Sequence, residues 1–177
     1  KAGFKAFAYH AGMSAAYREK VQDQFINDKN IIVVATIAFG MGIDKADVRF
    51  VAHMDLPKCL ESYYQETGRA GRDGLPSKAL MFYGLRDLVL LKRIASKGVA
   101  SAARRRVIEE KLDAILGFCE ATTCRREVLL NYFNDPYDGP CGNCDVCFEQ
   151  NSGVKLINAT QVAKTVLTCV YETDQRY

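Results

Sequence analysis

A run of five apolar residues, Ile31–Ala35, most constrains the fold of this chain, because four of the five are β-branched. Such a run is typical of a strand buried on both faces of a sheet. Other strand patterns and two helical patterns surround it. Strands that alternate with helices predict an α/β domain with a parallel sheet, which we expect to end between residues 83 and 96. The strand patterns lie at 4–10, 48–54 and 78–83, and the helical ones at 14–27 and 60–67.

Ligands of parallel sheets bind at the carboxyl ends of the strands, and we expect two loops there. One is the segment 36–44, and the other is the turn in SYYQETGRAGRDG (62–74), which holds Arg69 and Arg72. Small residues flank both arginines, so a bulky anion can reach the guanidinium groups, whose planar N–H donors suit phosphate oxygens. The alternative is a solvated basic turn. Gly68 is expected to end or distort the preceding helix.

The second half of the sequence is predicted to be helical. The predicted helix at 102–119 carries one apolar stripe, and three successive arginines, Arg104, Arg105 and Arg106, lie in its first turn. The helix dipole does not favour positive charge there, which indicates an anionic partner. The stripe is formed by Ile108, Leu112, Ile115, Leu116 and Cys119, and the other helices are predicted at 85–95, 124–133 and 159–171, with a linker at 151–153.

The charge is unevenly distributed, although the net charge is only +3. Residues 69–126 contain 13 Lys or Arg against 6 Asp or Glu, which suits a polyanionic partner, although a helix surface kept soluble by charge is the alternative for any single residue. The longest nearly apolar run, 31–43, is too short to span a bilayer, so no membrane partner is expected. No secretory signal is visible, but the chain starts at Lys1, so its true N-terminus could be missing.

Four of the seven cysteines are spaced as metal ligands. Cys141, Cys144 and Cys147 form C-x2-C-x2-C, and Cys124 lies seventeen residues before the first of them. Four thiolates are typical of a closed, structural zinc site. Buried free thiols and an iron–sulfur cluster are the alternatives. The ferredoxin pattern requires a further Cys-Pro after Cys147, and this chain has Phe148-Glu149 there. Metal spacing favours a reducing compartment over disulfides. The remaining cysteines, Cys59, Cys119 and Cys169, are expected to be core residues.

Three ordered segments resemble motifs of superfamily 2 helicases. QETGRAGRDG is similar to the last motif of that superfamily in the wording of the RecQ DNA helicases, and IIVVATIAFGMGIDKADVRFVAHMDLP (31–57) resembles the preceding motif. YHAGM (9–13) resembles the segment that opens the conserved run of the second motor domain. With the cysteines, the resemblance covers nearly the whole chain.

The resemblance implies a RecA-like second motor lobe at 1–88, incomplete at its start. A helical zinc-binding platform at 89–153 and the beginning of a winged helix at 154–177 follow it. It further implies an ATP-dependent helicase that moves 3′ to 5′ on DNA and acts in repair and recombination. The cofactors would be structural zinc together with ATP and Mg2+. The location would be the bacterial nucleoid or the eukaryotic nucleus.

The same resemblance assigns roles to individual residues. Arg72 would be the arginine finger on the γ-phosphate, Arg69 would contact phosphate or couple the two lobes, and Gln65 would lie at the cleft. Asp44 would link the nucleotide to DNA. The expected DNA contacts are Thr36 with the backbone around 35–42, His10, Arg104 and Arg105, although His10 has a purely structural hydrogen bond as its alternative.

Nucleotide binding by this chain alone is not expected, because it has no Gly-Lys pair and no Asp-Glu pair. The arginines would instead reach ATP held by a first motor lobe. A non-catalytic zinc module that binds nucleic acid is the main alternative, and it leaves the two arginines in a glycine-rich turn unexplained. A helicase of the same superfamily that acts on RNA is disfavoured by the cysteines.

Overall fold

The computed structural model describes residues 4–37, 39, 43–96, 101–151 and 157–173. These form two compact units, 1–119 and 120–177. The first contains four strands and four helices within its described part: β1 (Lys5–Tyr9), α1 (Ala15–Asn27), β2 (Ile31–Ala35), β3 (Phe50–His53), α2 (Leu60–Thr67), β4 (Lys78–Met81), α3 (Leu85–Ser96) and α4 (Ala102–Glu120). The described part of the second contains α5 (Arg125–Tyr132), α6 (Asp145–Asn151) and α7 (Thr160–Glu172).

The predicted parallel pairing is confirmed, and the described strands form two separate pairs. β1 pairs with β2, Tyr9 facing Ala35, and β3 pairs with β4, His53 facing Met81. The expectation that β2 is buried on both faces is wrong, since its first three residues are half-buried and Val34 is 65% exposed. Among the described strands, β2 pairs only with β1.

One buried cluster of the first unit lies between α2 and α4, and Tyr9 of β1 and Val21 of α1 are also buried. Leu60 and Tyr63 of α2 are buried together with Ile115 and Phe118 of α4, and the rings of Tyr63 and Phe118 are 5.2 Å apart. The predicted stripe on α4 is confirmed at Leu112, Ile115 and Cys119, and the sequence pattern missed Phe118.

The predicted ends of two helices are confirmed. Ser14 is the N-cap of α1, where its Oγ accepts a hydrogen bond from the Tyr17 N–H at 3.3 Å. Gly68 is the C-cap of α2, and a Cβ there would lie 3.0 Å from the Tyr64 carbonyl oxygen. Glycine therefore allows the close approach that ends this helix.

The second unit differs from expectation at a short helix, at the first residue of the predicted linker and at Cys169. The short helix α6 was not predicted, and it includes Asn151, the first residue of the predicted linker; residues 152 and 153 lie outside the described residues. Cys169 on α7 is exposed, so its assignment to a core is wrong, whereas Cys119 is buried and Cys59 half-buried. Of the predicted winged helix the structure describes α7 alone, so that fold stays a prediction. No helix in the described ranges is long and apolar enough to cross a membrane.

Candidate arginine site and metal centre

The arginine turn, residues 68–74, is docked on the segment that precedes β3. The Gly71 N–H donates to the Val48 carbonyl at 3.0 Å, and the Asp73 N–H donates to the Ala46 carbonyl at 3.3 Å. Gly71 has φ +67°, and a Cβ there would meet the Ser77 Oγ at 2.6 Å, so this position requires glycine. The backbone of the turn is thus held at a defined place beside residues 46–48.

The expected position of this turn at the carboxyl ends of the strands is wrong. The turn leads from α2 into β4, and the Lys78 N–H donates to the Arg49 carbonyl at 3.0 Å, directly before β3. The turn therefore lies at the amino ends of β3 and β4. A helix between two parallel strands returns the chain to the amino edge of the sheet, so a loop that follows the helix must lie there. The expectation holds for Thr36, which directly follows β2.

The structure brings Arg72 and Asp44 together. The Arg72 Nη1 is 2.8 Å from the Asp44 Oδ1, and the Arg72 Nε donates to the Gly68 carbonyl at 3.3 Å. The side chains of Arg72 and Asp44 are 43% and 87% exposed, and ion pairs this exposed are weak and exchangeable. An incoming phosphate can therefore compete for the guanidinium. Gln65 is exposed on α2, and Arg69, which follows the C-cap Gly68 of that helix, is half-buried.

Sequence reasoning missed the two basic residues that support the Asp44 segment. The Lys45 ammonium donates to the carbonyls of Ile26 and Asp28 at 3.1 and 3.3 Å, and its side chain is only 13% exposed. Arg49 binds the arginine turn through Asp73, with 2.5 Å between its Nη2 and the carboxylate. Both lie in the segment KADVR (45–49). Its sequence does not show whether a Lys or Arg side chain binds other parts of the protein or is exposed to solvent.

Two of the predicted DNA contacts lie side by side at the end of the first strand pair. His10 and Thr36 directly follow Tyr9 and Ala35, which face each other in the parallel register, and both are exposed. The His10 Nδ1 accepts a hydrogen bond from the Gly12 N–H at 3.2 Å, the local contact expected from a structural histidine. Residues 38 and 40–42 of the following loop lie outside the described residues.

The other two predicted DNA contacts, Arg104 and Arg105, lie in the first turn of α4. Both side chains are exposed there, as the sequence pattern predicted.

The four predicted metal ligands converge in the second unit. The Sγ atoms of Cys124, Cys141, Cys144 and Cys147 all lie within 4.8 Å of one another. The Cys144–Cys147 and Cys141–Cys147 separations are 3.4 and 4.0 Å, which bracket the roughly 3.8 Å between sulfurs of a tetrahedral zinc site. The geometry fits a structural zinc ion with no open position.

The pKa values of the Cys124 and Cys147 thiols are shifted in opposite directions. Burial raises the pKa of the Cys124 thiol, but backbone N–H groups, including that of Cys141, outweigh it and lower that pKa to about 6. At Cys147 a hydrogen bond from the Gly142 N–H lowers the pKa, but burial and the three neighbouring thiols raise it to about 11. A positive ion at the centre removes this conflict, because it stabilises all four thiolates together.

An ion pair between Arg125 and Asp145, which was not predicted, lies next to two of the cysteine ligands. The Arg125 Nε lies 3.0 Å and 3.2 Å from the two carboxylate oxygens of Asp145, and its Nη2 lies 2.9 Å from Oδ2. The Arg125 N–H donates to the Cys144 Sγ at 3.4 Å, so the same residue contacts a ligand directly. The pair joins the first residues of α5 and α6, each of which follows a ligand cysteine. The sequence signal was only their position next to Cys124 and Cys144.

Two family models match this chain. Residues 1–74 match the helicase conserved C-terminal domain, and residues 85–148 match the RecQ zinc-binding domain. The first match assigns residues 1–74, with their paired parallel strands and arginine turn, to the class of helicase C-terminal domains. The zinc-binding match narrows that class, and the chain belongs to the RecQ helicase family.

Curated relatives agree with both matches. The ATP-dependent DNA helicase RecQ of Haemophilus influenzae is 51% identical over 93% of this chain, and that of Pasteurella multocida is 48% identical over 99%. The RecQ-like DNA helicase blm-1 of Caenorhabditis elegans is 42% identical over 96% of the chain. The chain spans 26%, 27% and 18% of the lengths of these relatives. Among solved structures, it matches S. cerevisiae Dbp5 bound to Gle1 with a TM-score of 0.43 at 18% identity, over 63% of this chain and 33% of that chain.

Proposed function

We propose that this chain is part of an ATP-dependent DNA helicase, in which it supplies the second motor lobe and a zinc-binding platform. The carrying observation is the exposed Arg72, whose guanidinium contacts the exposed Asp44 carboxylate and the Gly68 carbonyl. The relatives that share this sequence are ATP-dependent DNA helicases, which supports the same activity here.

Arg72 acts as the arginine finger. ATP and Mg2+ are held by the first lobe of the full-length protein, and closure of the cleft brings the guanidinium to the γ-phosphate. There its N–H donors neutralise charge that develops on the phosphate oxygens during transfer. Arg69 contacts phosphate or the other lobe, Gln65 lies at the cleft, and Asp44 accepts the Arg72 guanidinium when no phosphate is present.

DNA is gripped by its phosphates. His10 and Thr36 at the end of the first strand pair, and Arg104 and Arg105 on α4, are the contacts we assign. Binding of this kind is tolerant of base sequence and weakens with salt. Repeated opening and closing of the cleft then moves the lobe along one strand from 3′ to 5′. The natural compartment is the one that contains DNA, the nucleoid or the nucleus.

Zinc has a structural part in this function. The four cysteines hold it, and it supplies the cross-link that folds the platform. The boundaries we propose are 1–88 for the motor lobe, 89–153 for the platform and 154–177 for the start of a winged helix.

The test is DNA-stimulated ATP hydrolysis by the full-length protein. Arg72→Ala should lower turnover on the order of a thousandfold with ATP and DNA binding largely kept, because arginine fingers contribute this much to the transition state. Arg69→Ala is the matched comparison, since it removes the same group from the same turn. A full loss with Arg69→Ala and none with Arg72→Ala would move the finger to Arg69. A wild-type protein without DNA-dependent hydrolysis would refute the helicase proposal and favour a binding module.

A further inference from the structure

We propose that Arg49 is a positioning residue, which holds the arginine turn against the segment carrying Asp44 and so places Arg72 for phosphate contact. This inference rests on the proposed function, because it assigns a role in the same site. Arg49 is not expected to touch ATP or DNA. It acts through the turn.

The geometry of the Arg49 guanidinium carries the inference. Its Nη2 binds the Asp73 carboxylate at 2.5 Å, its Nη1 donates to the Pro76 carbonyl at 3.3 Å, and its Nε donates to the Asp47 carbonyl at 3.0 Å. Two of these acceptors, Asp73 and Pro76, lie in or directly after the arginine turn, and the third lies in the segment before β3. One rigid group therefore bridges the two pieces of chain.

Asp73 transmits this contact to Arg72, its neighbour in sequence. One carboxylate oxygen of Asp73 binds Arg49, and the other accepts a hydrogen bond from the Leu75 N–H at 3.1 Å. The Arg49 guanidinium also holds the pKa of the Asp73 carboxyl below its usual range. The end of the turn is thereby held at two points.

Contacts from outside the turn matter because two of its residues are glycines, although the Gly74 N–H donates to the Gly71 carbonyl at 2.9 Å within the turn. Gly71 and Gly74 both have positive φ, at +67° and +76°, and glycine allows many other conformations. Outside the Arg49 contacts, two backbone hydrogen bonds join the turn to residues 46 and 48. A displacement of about 1 Å in a catalytic group can cost about a hundredfold in rate.

Lysine cannot replace arginine in this role. A single ammonium on a flexible stem presents no planar fork, and it cannot reach acceptors on Asp47, Asp73 and Pro76 together. Arg49→Lys should retain at most the ion pair with Asp73. A conservative substitution that keeps the charge is therefore expected to restore activity only in part.

The experiment measures steady-state ATP hydrolysis by the full-length protein with saturating single-stranded DNA. Arg49→Ala should lower kcat by about tenfold to a hundredfold, with a much smaller change in the KM for ATP, because the arginine turn acts mainly in the transition state. Lys5→Ala is the control, since it removes another ion pair, with Asp28, from the same unit. The control should leave kcat unchanged. Asp73→Asn is the second variant and should reproduce the loss if Arg49→Ala folds poorly.

Non-additivity separates positioning from general damage. If Arg49 acts through Arg72, then adding Arg49→Ala to Arg72→Ala should lower turnover no further, measured in single turnover at high enzyme concentration. A further tenfold loss in the double variant, or wild-type kcat in both Arg49→Ala and Asp73→Asn, would overturn the inference while leaving the helicase proposal intact. Absence of DNA-stimulated hydrolysis in the wild type would instead refute the proposed function.

Discussion

Removal of one zinc ligand should unfold the second unit, because few of its described side chains are buried. In the described part of that unit the buried hydrophobic residues are Cys124, Val146 and Cys147, of which two belong to the metal centre. Burial of Val146 contributes at most about 3 kcal/mol. Val128, Leu129 and Leu130 of α5 are only half-buried, so the apolar core within the described part of this unit is small. A structural zinc ion contributes about 10–16 kcal/mol in small zinc domains, so we expect the metal to be the main source of stability in this unit.

We therefore expect Cys144→Ser to lose zinc and structure together. Metal content, measured by plasma mass spectrometry, should fall from about one zinc per chain to near zero. Hydrogen exchange of the α5 amides, such as the Val128 N–H that donates to the Cys124 carbonyl at 3.1 Å, should lose its protection. Cys169→Ser is the matched control, since Cys169 is exposed and lies outside the cluster. Retention of one zinc with unchanged protection in Cys144→Ser, or full protection of a metal-free wild type, would refute the reasoning.

Two further predictions concern the first unit. Gly71→Ala should destabilise it by about 1–3 kcal/mol in urea unfolding, because alanine disfavours φ +67° and its Cβ would lie 2.6 Å from the Ser77 Oγ. Gly117→Ala, in α4 with no atom within 4 Å of the new Cβ, should instead stabilise by about 0.5–1 kcal/mol, and equal effects of the two would contradict the argument. A hydrogen bond from Lys111 lowers the pKa of Glu61 from 4.5 to about 2. The pair therefore stabilises the fold fully at a pH above the pKa of Glu61 in the unfolded chain, and the stabilisation is lost as the pH falls towards 2. Because the side chains of Lys111 and Glu61 are 42% and 34% exposed, Lys111→Met should cost only about 1 kcal/mol at neutral pH. That cost should shrink as the pH is lowered from about 5 to about 2.5, and a constant cost would exclude the ion pair as its source.

Local patterns in the sequence predicted most of the elements well. The helix start at Ser14, the end of α2 at Gly68 and the parallel strands all follow from side-chain spacing and capping chemistry, which act over a few residues. Burial was predicted less well. The apolar run of β2 is half-exposed, and Cys169 is exposed, because burial depends on which surfaces meet and not on the residue itself.

The candidate site shows the same division. Arg72, Asp44 and the four cysteines could be identified from their motifs, and the structure does bring each set together. Arg49 and Arg125 could not be identified in this way, because an arginine that forms structural ion pairs has the same local sequence as one that is solvated. Their roles depend on acceptors 20 or more residues away, as with Arg125 and Asp145 or Arg49 and Asp73.

The sequence by itself determined the order of strands and helices apart from α6, the family, the arginine turn and the metal-ligand set, since each is written in residue types at short spacing. Only the tertiary structure decided where those groups lie. It put the arginine turn at the amino ends of β3 and β4, paired Arg72 with Asp44, and placed Arg49 between two segments distant in sequence. The physical reason is that hydrogen bonds and ion pairs form between whichever groups the packed backbone brings within about 3 Å, and that proximity is a property of the folded chain.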